Sequence, residues 1–271
     1  MAFILLSLCI ALGLAIVMAG AWAVARKPGM SGWTDAIWSY GVGLAGVAAA
    51  LAPVDGSPGP RQWLVAALAG VWSLRLGTHI ALRAKKGKDD PRYLELRRQW
   101  GDGFDRRLFG FLQIQSAAAW LLSISILAAA RNPAPFPAWS DFAGALILVL
   151  AVLGEAVADA ELRRFRSDPS NAGRICEAGL WGLSRHPNYF FEWLGWTAYA
   201  VIAIGPAIGF GWGWIALSGP IFMYWLLVHV SGVPPLEAHM MRSRGEAFAD
   251  LQRRIRPFWP VPVARRSRDH R

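Results

Sequence analysis

Seven long apolar runs constrain this chain more than any other feature of its sequence. They lie at about Ala2–Ala25, Asp35–Ala52, Gln62–Leu82, Phe111–Ala130, Phe142–Ala158, Tyr189–Pro206 and Gly209–Val230. Each is close to the ~20 residues an α-helix needs to cross the hydrocarbon core of a bilayer. There, every backbone N–H and C=O must be paired within the segment, so the runs predict helices and not open strands. The expected fold is an all-α integral membrane protein with seven transmembrane helices, forming a single domain over residues 1–271. The first run is too long for the apolar part of a signal peptide and has no basic residues before it, so it is read as a span.

The formal net charge is +10, and its distribution sets the expected orientation. Arg26 and Lys27 follow the first run, and nine Lys and Arg between Arg83 and Arg107 follow the third. Arg163, Arg164, Arg166, Arg174 and Arg185 follow the fifth, and the basic tail from Arg242 to Arg271 follows the seventh. The loops after the second, fourth and sixth runs hold only Arg61 and Arg131. The positive-inside rule then places the odd loops and the C-terminus in the cytoplasm and the N-terminus outside. Because these charges flank spans as topology requires, no nucleic-acid partner is expected. Cys9 lies within a span and Cys176 in a cytoplasmic loop, so neither a disulfide nor a Cys/His metal site is expected. The closing "ARRSRDHR" is read as a disordered tail that seeks lipid headgroups.

Polar residues inside the apolar runs are where chemistry is sought, because an ionisable side chain at membrane depth is costly. Glu155, Asp159, Arg163 and Arg166 are spaced to share one face if the fifth helix continues past the bilayer surface. The plain reading is a solvated helix end; the functional one is a site that begins with two membrane-depth acids. Shortly afterwards comes "GLWGLSRHPNYFFEWLGW", in which Arg185 and His186 precede a Pro that can open a helix. Asn188, Tyr189 and Glu192 then occupy the first turns, where free N–H groups and the dipole favour an anion. Topology alone explains Arg185, Trp181 and Tyr189, as a positive flank and an aromatic belt. It leaves Asn188 and Glu192 unexplained.

This stretch resembles the signature of the membrane steroid 5α-reductase superfamily, in particular its bacterial branch, and shares "RHPNY" with the sterol Δ14- and Δ7-reductases. The segment "SGVPPLEAHMMRSRGEAFADLQRRIRPFWP" is similar to that branch as well, and the likeness is strongest from about Glu155 to Pro260. It implies an NADPH-dependent reductase with a seven-helix, N-out fold; the chain is expected to be a monomer, multi-pass in a bacterial inner membrane. By that resemblance Asp159 and Arg166, seven residues apart, bind the cofactor, as do Arg174, fourteen residues before Asn188, Asn188 itself and Glu192. Glu155, Arg163, Arg185, His186 and Tyr189 complete the expected cofactor set; its arginines suit the phosphates of a dinucleotide. No Gly-x-Gly-x-x-Gly loop follows a strand pattern, so a soluble Rossmann domain is not expected. Residues 131–260 are thus read as mainly cofactor-side and residues 1–130 as mainly substrate-side.

The substrate expected from the resemblance is a 3-oxo-Δ4 steroid or a similar lipid enone. Its oxygen needs an acid or a strong donor to polarise the double bond for hydride. The candidates are Asp35 at the start of the second run and Trp72, Arg75 and His79 in the third. The family holds the steroid oxygen with a Glu and a Tyr; Asp35 stands near the Glu, whereas Trp72 stands where the Tyr is expected. An indole donates one hydrogen bond and supplies no proton at ordinary pH, which leaves the acid role to His79. Arg75 and His79 equally suit an internal pair that satisfies carbonyls or Asp35. Between runs three and four, Lys88 or Arg92 is a candidate to meet a ribose phosphate on a surface-lying segment with Tyr93 and Trp100.

Two other classes share some of these features. Membrane S-adenosylmethionine-dependent methyltransferases of lipids or isoprenylcysteine also carry "RHP-x-Y". They usually place Gly two residues after the Tyr and a Glu pair before a late Leu; here stand Phe191 and a lone Glu237. A transporter would spread polar residues through its helices, whereas these gather toward the expected cytoplasmic ends.

Overall fold

A computed structural model describes the chain except for residues 55, 86–89, 206–210 and 262–271. Lys88, the ends of the sixth and seventh predicted runs at Pro206 and Gly209, and residues 262–271 of the basic tail lie outside the described residues. Ten α-helices are described: α1 (Ala2–Ala25), α2 (Trp33–Leu51), α3 (Pro60–Ala84), α4 (Pro91–Trp100), α5 (Phe104–Ala130), α6 (Trp139–Ser167), α7 (Pro187–Ile204), α8 (Ser218–Trp225), α9 (Val233–Arg244) and α10 (Glu246–Arg254). No strand occurs among the described residues.

Among the described residues, five helical stretches are long and apolar enough to cross a membrane: α1, α3, Arg92–Ala130, α6 and Gly211–Arg244. The chain is an all-α, multi-pass membrane protein on that ground. The other two expected spans are also helical, but α2 and α7 are 19 and 18 residues long and carry polar residues at their starts. Several boundaries differ from the sequence reading. The fourth expected span is α5, which starts at Phe104 rather than Phe111, and the fifth is α6, which runs on to Ser167, because amphipathic turns rich in Arg extend an apolar helix beyond its lipid-sized core. The seventh run is not one α-helix: Gly211–Leu217 is 3₁₀, Ser218–Trp225 is α and Leu226–Val230 is a π-helical turn. Its "GWGW" start favours a looser backbone, and Pro220 has no N–H to give and stands in the first turn of α8.

The chain divides into two compact units, Met1–Ala145 with Ala198–Gly219, and Leu146–Thr197 with Pro220 onward. In the first, α2 and α3 pack antiparallel. Ser73 Oγ donates to the Ser39 carbonyl at 3.0 Å, and the Tyr40 and Thr78 hydroxyls are 2.9 Å apart. Gly43 permits this approach, since a Cβ there would lie 2.1 Å from Ser73. A core of Met18, Ala21, Ala25, Tyr93, Phe104, Leu108 and Leu112 joins α1, α4 and α5.

The same unit holds a buried ion pair that ties α3 to α6. Arg61 donates to both carboxylate oxygens of Asp141 at 2.8 Å and also to the carbonyls of Asn132 and Ala134 at 2.7 and 2.6 Å. Both side chains are almost fully buried. Arg131 donates to the Ala52 carbonyl at 2.6 Å. The two positive charges of the even loops are therefore bound to carboxylate or carbonyl groups. In the second unit, Phe248, Leu251 and Ile255 of the α10 segment form a small core with Ile175 and Met240.

Candidate active site

The cofactor-side candidates lie in the second unit, and their positions begin with α6. Glu155 and Asp159, one turn apart, are buried at 6% and 8% exposure in an otherwise apolar stretch. Arg163 and Arg166, farther along the same helix, are exposed. The four residues that share a face by spacing thus form a buried acidic half and an exposed basic half. Gly154 lets α7 approach here: a Cβ would stand 2.3 Å from the Phe191 ring. The turn after α6 is pinned back to it, with Trp181 Nε1 donating to the Ala158 carbonyl and the Leu180 N–H to Glu161, both at 2.9 Å. Arg174 is exposed, donating to the Asn171 side chain at 3.2 Å.

The helix start predicted at Pro187 is present, and the segment before it is held from three directions. Ser184 Oγ donates to the Phe258 carbonyl at 2.9 Å and accepts from the His186 N–H at 3.1 Å, while the Arg185 N–H donates to the Arg256 carbonyl at 2.9 Å. Asn188 and Tyr189 follow, half-buried in the first turn of α7, and among the described residues the Asn188 amide has no hydrogen-bond partner. Glu192, one turn on, is buried and accepts from Trp196 Nε1 at 3.0 Å. The ring of His186 stacks on Tyr189 with centroids 5.4 Å apart.

Arg185 departs from its expected role. Its guanidinium donates through Nε and Nη2 to the two oxygens of Glu237 at 2.7 and 3.1 Å, and through Nη1 to the carbonyls of Gln252 and Ile255. Little of it is left to meet a phosphate. The exposed arginines Arg163, Arg166 and Arg174 keep that capacity. Glu237 is the residue that sequence reasoning missed: it also faces His186 Nε2 at 3.0 Å and accepts from Gln252 at 2.8 Å. The one available signal was an isolated acid within the otherwise apolar "GVPPLEA".

The substrate-side candidates lie in the first unit. Because α2 and α3 are antiparallel, Asp35 in the first turn of α2 stands at the end of α3 that carries His79. Trp72 is buried, and Arg75 and His79 are half-buried. Asp35 is paired with the Arg92 guanidinium, and the Tyr93 hydroxyl donates to it across a long 3.5 Å. Arg92 is thus engaged within this unit, with Asp35 and with Asp90 at 3.0 Å. Asp90 also caps α4, accepting from the Arg92 N–H at 2.9 Å. Burial pushes the Asp90 carboxyl up, but the hydrogen bonds and charge of Arg92 outweigh it and hold the carboxyl below the ordinary range.

As chemistry, the second unit offers buried acceptors, a helix start with an open amide and a set of exposed guanidinium groups. The first offers a paired carboxylate, a buried phenol and an imidazole at one end of an antiparallel helix pair. No curated protein and no solved structure matches the chain. The family described as "Protein of unknown function (DUF1295)" matches residues 21–255, and the chain belongs to it.

Proposed function

We propose that this protein is an NADPH-dependent membrane reductase that saturates the conjugated double bond of a 3-oxo-Δ4 steroid or a similar flat lipid enone. The observation that carries the reading is the set of three buried carboxylates, Glu155, Asp159 and Glu192, on apolar helices of one unit that also presents Arg163, Arg166 and Arg174 on its surface. Carboxylates at membrane depth are costly and by default mark a site. They suit the hydroxyls and carboxamide N–H groups of a dinucleotide, while the guanidinium groups suit its phosphates. The resemblance of "GLWGLSRHPNYFFEW" to the reductase signature points to the same cofactor.

In this reading Asp159, Asn188 and Glu192 orient the cofactor, and Arg166 and Arg174 bind its phosphates. NADPH, when bound, supplies hydride to the β-carbon of the enone, and a proton completes the α-carbon. Trp72 and the apolar parts of α1 to α3 exclude water from the lipid. Asp35, as a carboxylate beside Arg92, only accepts hydrogen bonds, so it orients Tyr93 and Arg92 and does not donate to a ketone. His79 is the donor to the substrate oxygen. The same proposal has seven spans, α2 and α7 included, with the N-terminus outside and the C-terminus in the cytoplasm. The protein acts as a monomer in a bacterial inner membrane.

The test is a binding titration of detergent-purified protein with NADPH, NADH and S-adenosylmethionine. Preferential NADPH binding supports the reductase. Binding of S-adenosylmethionine alone moves the same "RHPNY" segment to a lipid methyltransferase.

A further inference from the structure

The side chain of Glu237 is the meeting point of the second unit, and no part of the reductase reading uses it. Its oxygens take both prongs of the Arg185 guanidinium, the Nε2 atom of His186 and the amide of Gln252, with separations of 2.7, 3.1, 3.0 and 2.8 Å. A carboxylate facing a guanidinium fork only accepts hydrogen bonds. The His186 proton must then reside on Nε2, because a proton on Nδ1 would set two lone pairs against each other across 3.0 Å. The opposite ring atom, Nδ1, is buried and has no hydrogen-bond partner among the described residues. Burial without a partner penalises a polar atom, and Glu237 is the group that holds the ring in this orientation.

We propose that Glu237 is the positioning residue of the signature: it holds His186 as the Nε2–H tautomer, clamps Arg185, and through both fixes the first turn of α7, where Asn188 and Tyr189 stand. The effect on NADPH rests on the reading that this turn binds the cofactor. The tautomer does not.

The experiment uses full-length, detergent-purified protein carrying ¹⁵N-histidine. The His186 resonances are identified by their loss in His186→Gln and recorded above the range in which histidine titrates, in parallel with NADPH titrations. The wild type shows Nε2–H. Glu237→Ala loses the single tautomer and raises the Kd for NADPH about tenfold or more, with kcat within about threefold. Glu237→Gln, whose amide oxygen still accepts from Nε2, keeps the tautomer and binds within about threefold. An Nδ1–H tautomer in the wild type overturns the proposal, whether or not the alanine variant folds. So does an alanine variant with unchanged tautomer and Kd. A wild type that shows Nε2–H and binds no NADPH upholds the positioning role and overturns the cofactor reading.

Discussion

At the scale of single residues, the structure separates groups that fold the chain from groups left to act on something else. Arg185 and Arg92 are engaged by internal carboxylates, whereas the Asn188 amide is open; the acids of α6 are buried and have partners of their own. Asp159→Ala or Asn188→Ala should therefore raise the Kd for NADPH about tenfold each, the worth of one or two hydrogen bonds, with an unchanged helical circular dichroism spectrum. His79→Ala should slow turnover with NADPH binding retained; a fully active variant would return His79 to a structural role. Outside the helices that enter the bilayer, hydrogen bonds from Arg254 hold the Glu177 and Asp250 carboxyls below their ordinary range. Groups with depressed folded values stabilise above the unfolded values, about 4, and lose that contribution as pH falls through the folded ones. The melting-temperature gap between wild type and Arg254→Ala should accordingly be present at neutral pH and close on acidification below about pH 4.

At the scale of elements, close helix contacts and one buried pair define the joints. Arg61→Ala would strand the Asp141 carboxylate and several carbonyls, and is expected to cost ~3–5 kcal/mol in thermal or denaturant unfolding. Replacing both partners with apolar residues of similar volume should recover much of that loss. Gly43→Ala should also destabilise, by ~1–3 kcal/mol, because the new methyl meets the Cβ of Ser73, which the α3 backbone holds in place.

The helices themselves were legible in the sequence wherever an apolar run was long. The extension of α6 to Ser167 was legible only as a condition: the apolar run ended at Ala158, and the spacing of Glu155, Asp159, Arg163 and Arg166 gave one face if the helix continued. The break in the seventh run was not, because hydropathy averages over a window and does not register whether Gly and Pro loosen the backbone within it. Glu237 was not legible either: its partners lie 52, 51 and 15 residues away, and only folding brings α9 and α10 to the segment before α7. The pairing of Asp35 with Arg92 across 57 residues is the same kind of information. Local pattern marks a polar residue as unusual in its run, but a partner far along the chain decides whether it is structural or free to act.

At the scale of the whole molecule, the candidates sort by unit: Asp35, Trp72, Arg75 and His79 fall in the first and the ten cofactor-side residues in the second. The proposed topology predicts that single cysteines placed in the Asp102–Gly103 turn and after Arg254 react only once the cytoplasmic face is opened. A cysteine in the turn that holds Pro135 should react from outside. The most direct test of the reductase reading is the oxidation of NADPH by purified protein, followed by its absorbance, with and without a 3-oxo-Δ4 steroid such as progesterone. Steroid-dependent oxidation, needing about tenfold more NADPH in Asp159→Ala, is the expected result. Protein that binds NADPH but shows no oxidation with this or other lipid enones would contradict the assignment of the reaction; protein that binds no NADPH would contradict the cofactor site itself.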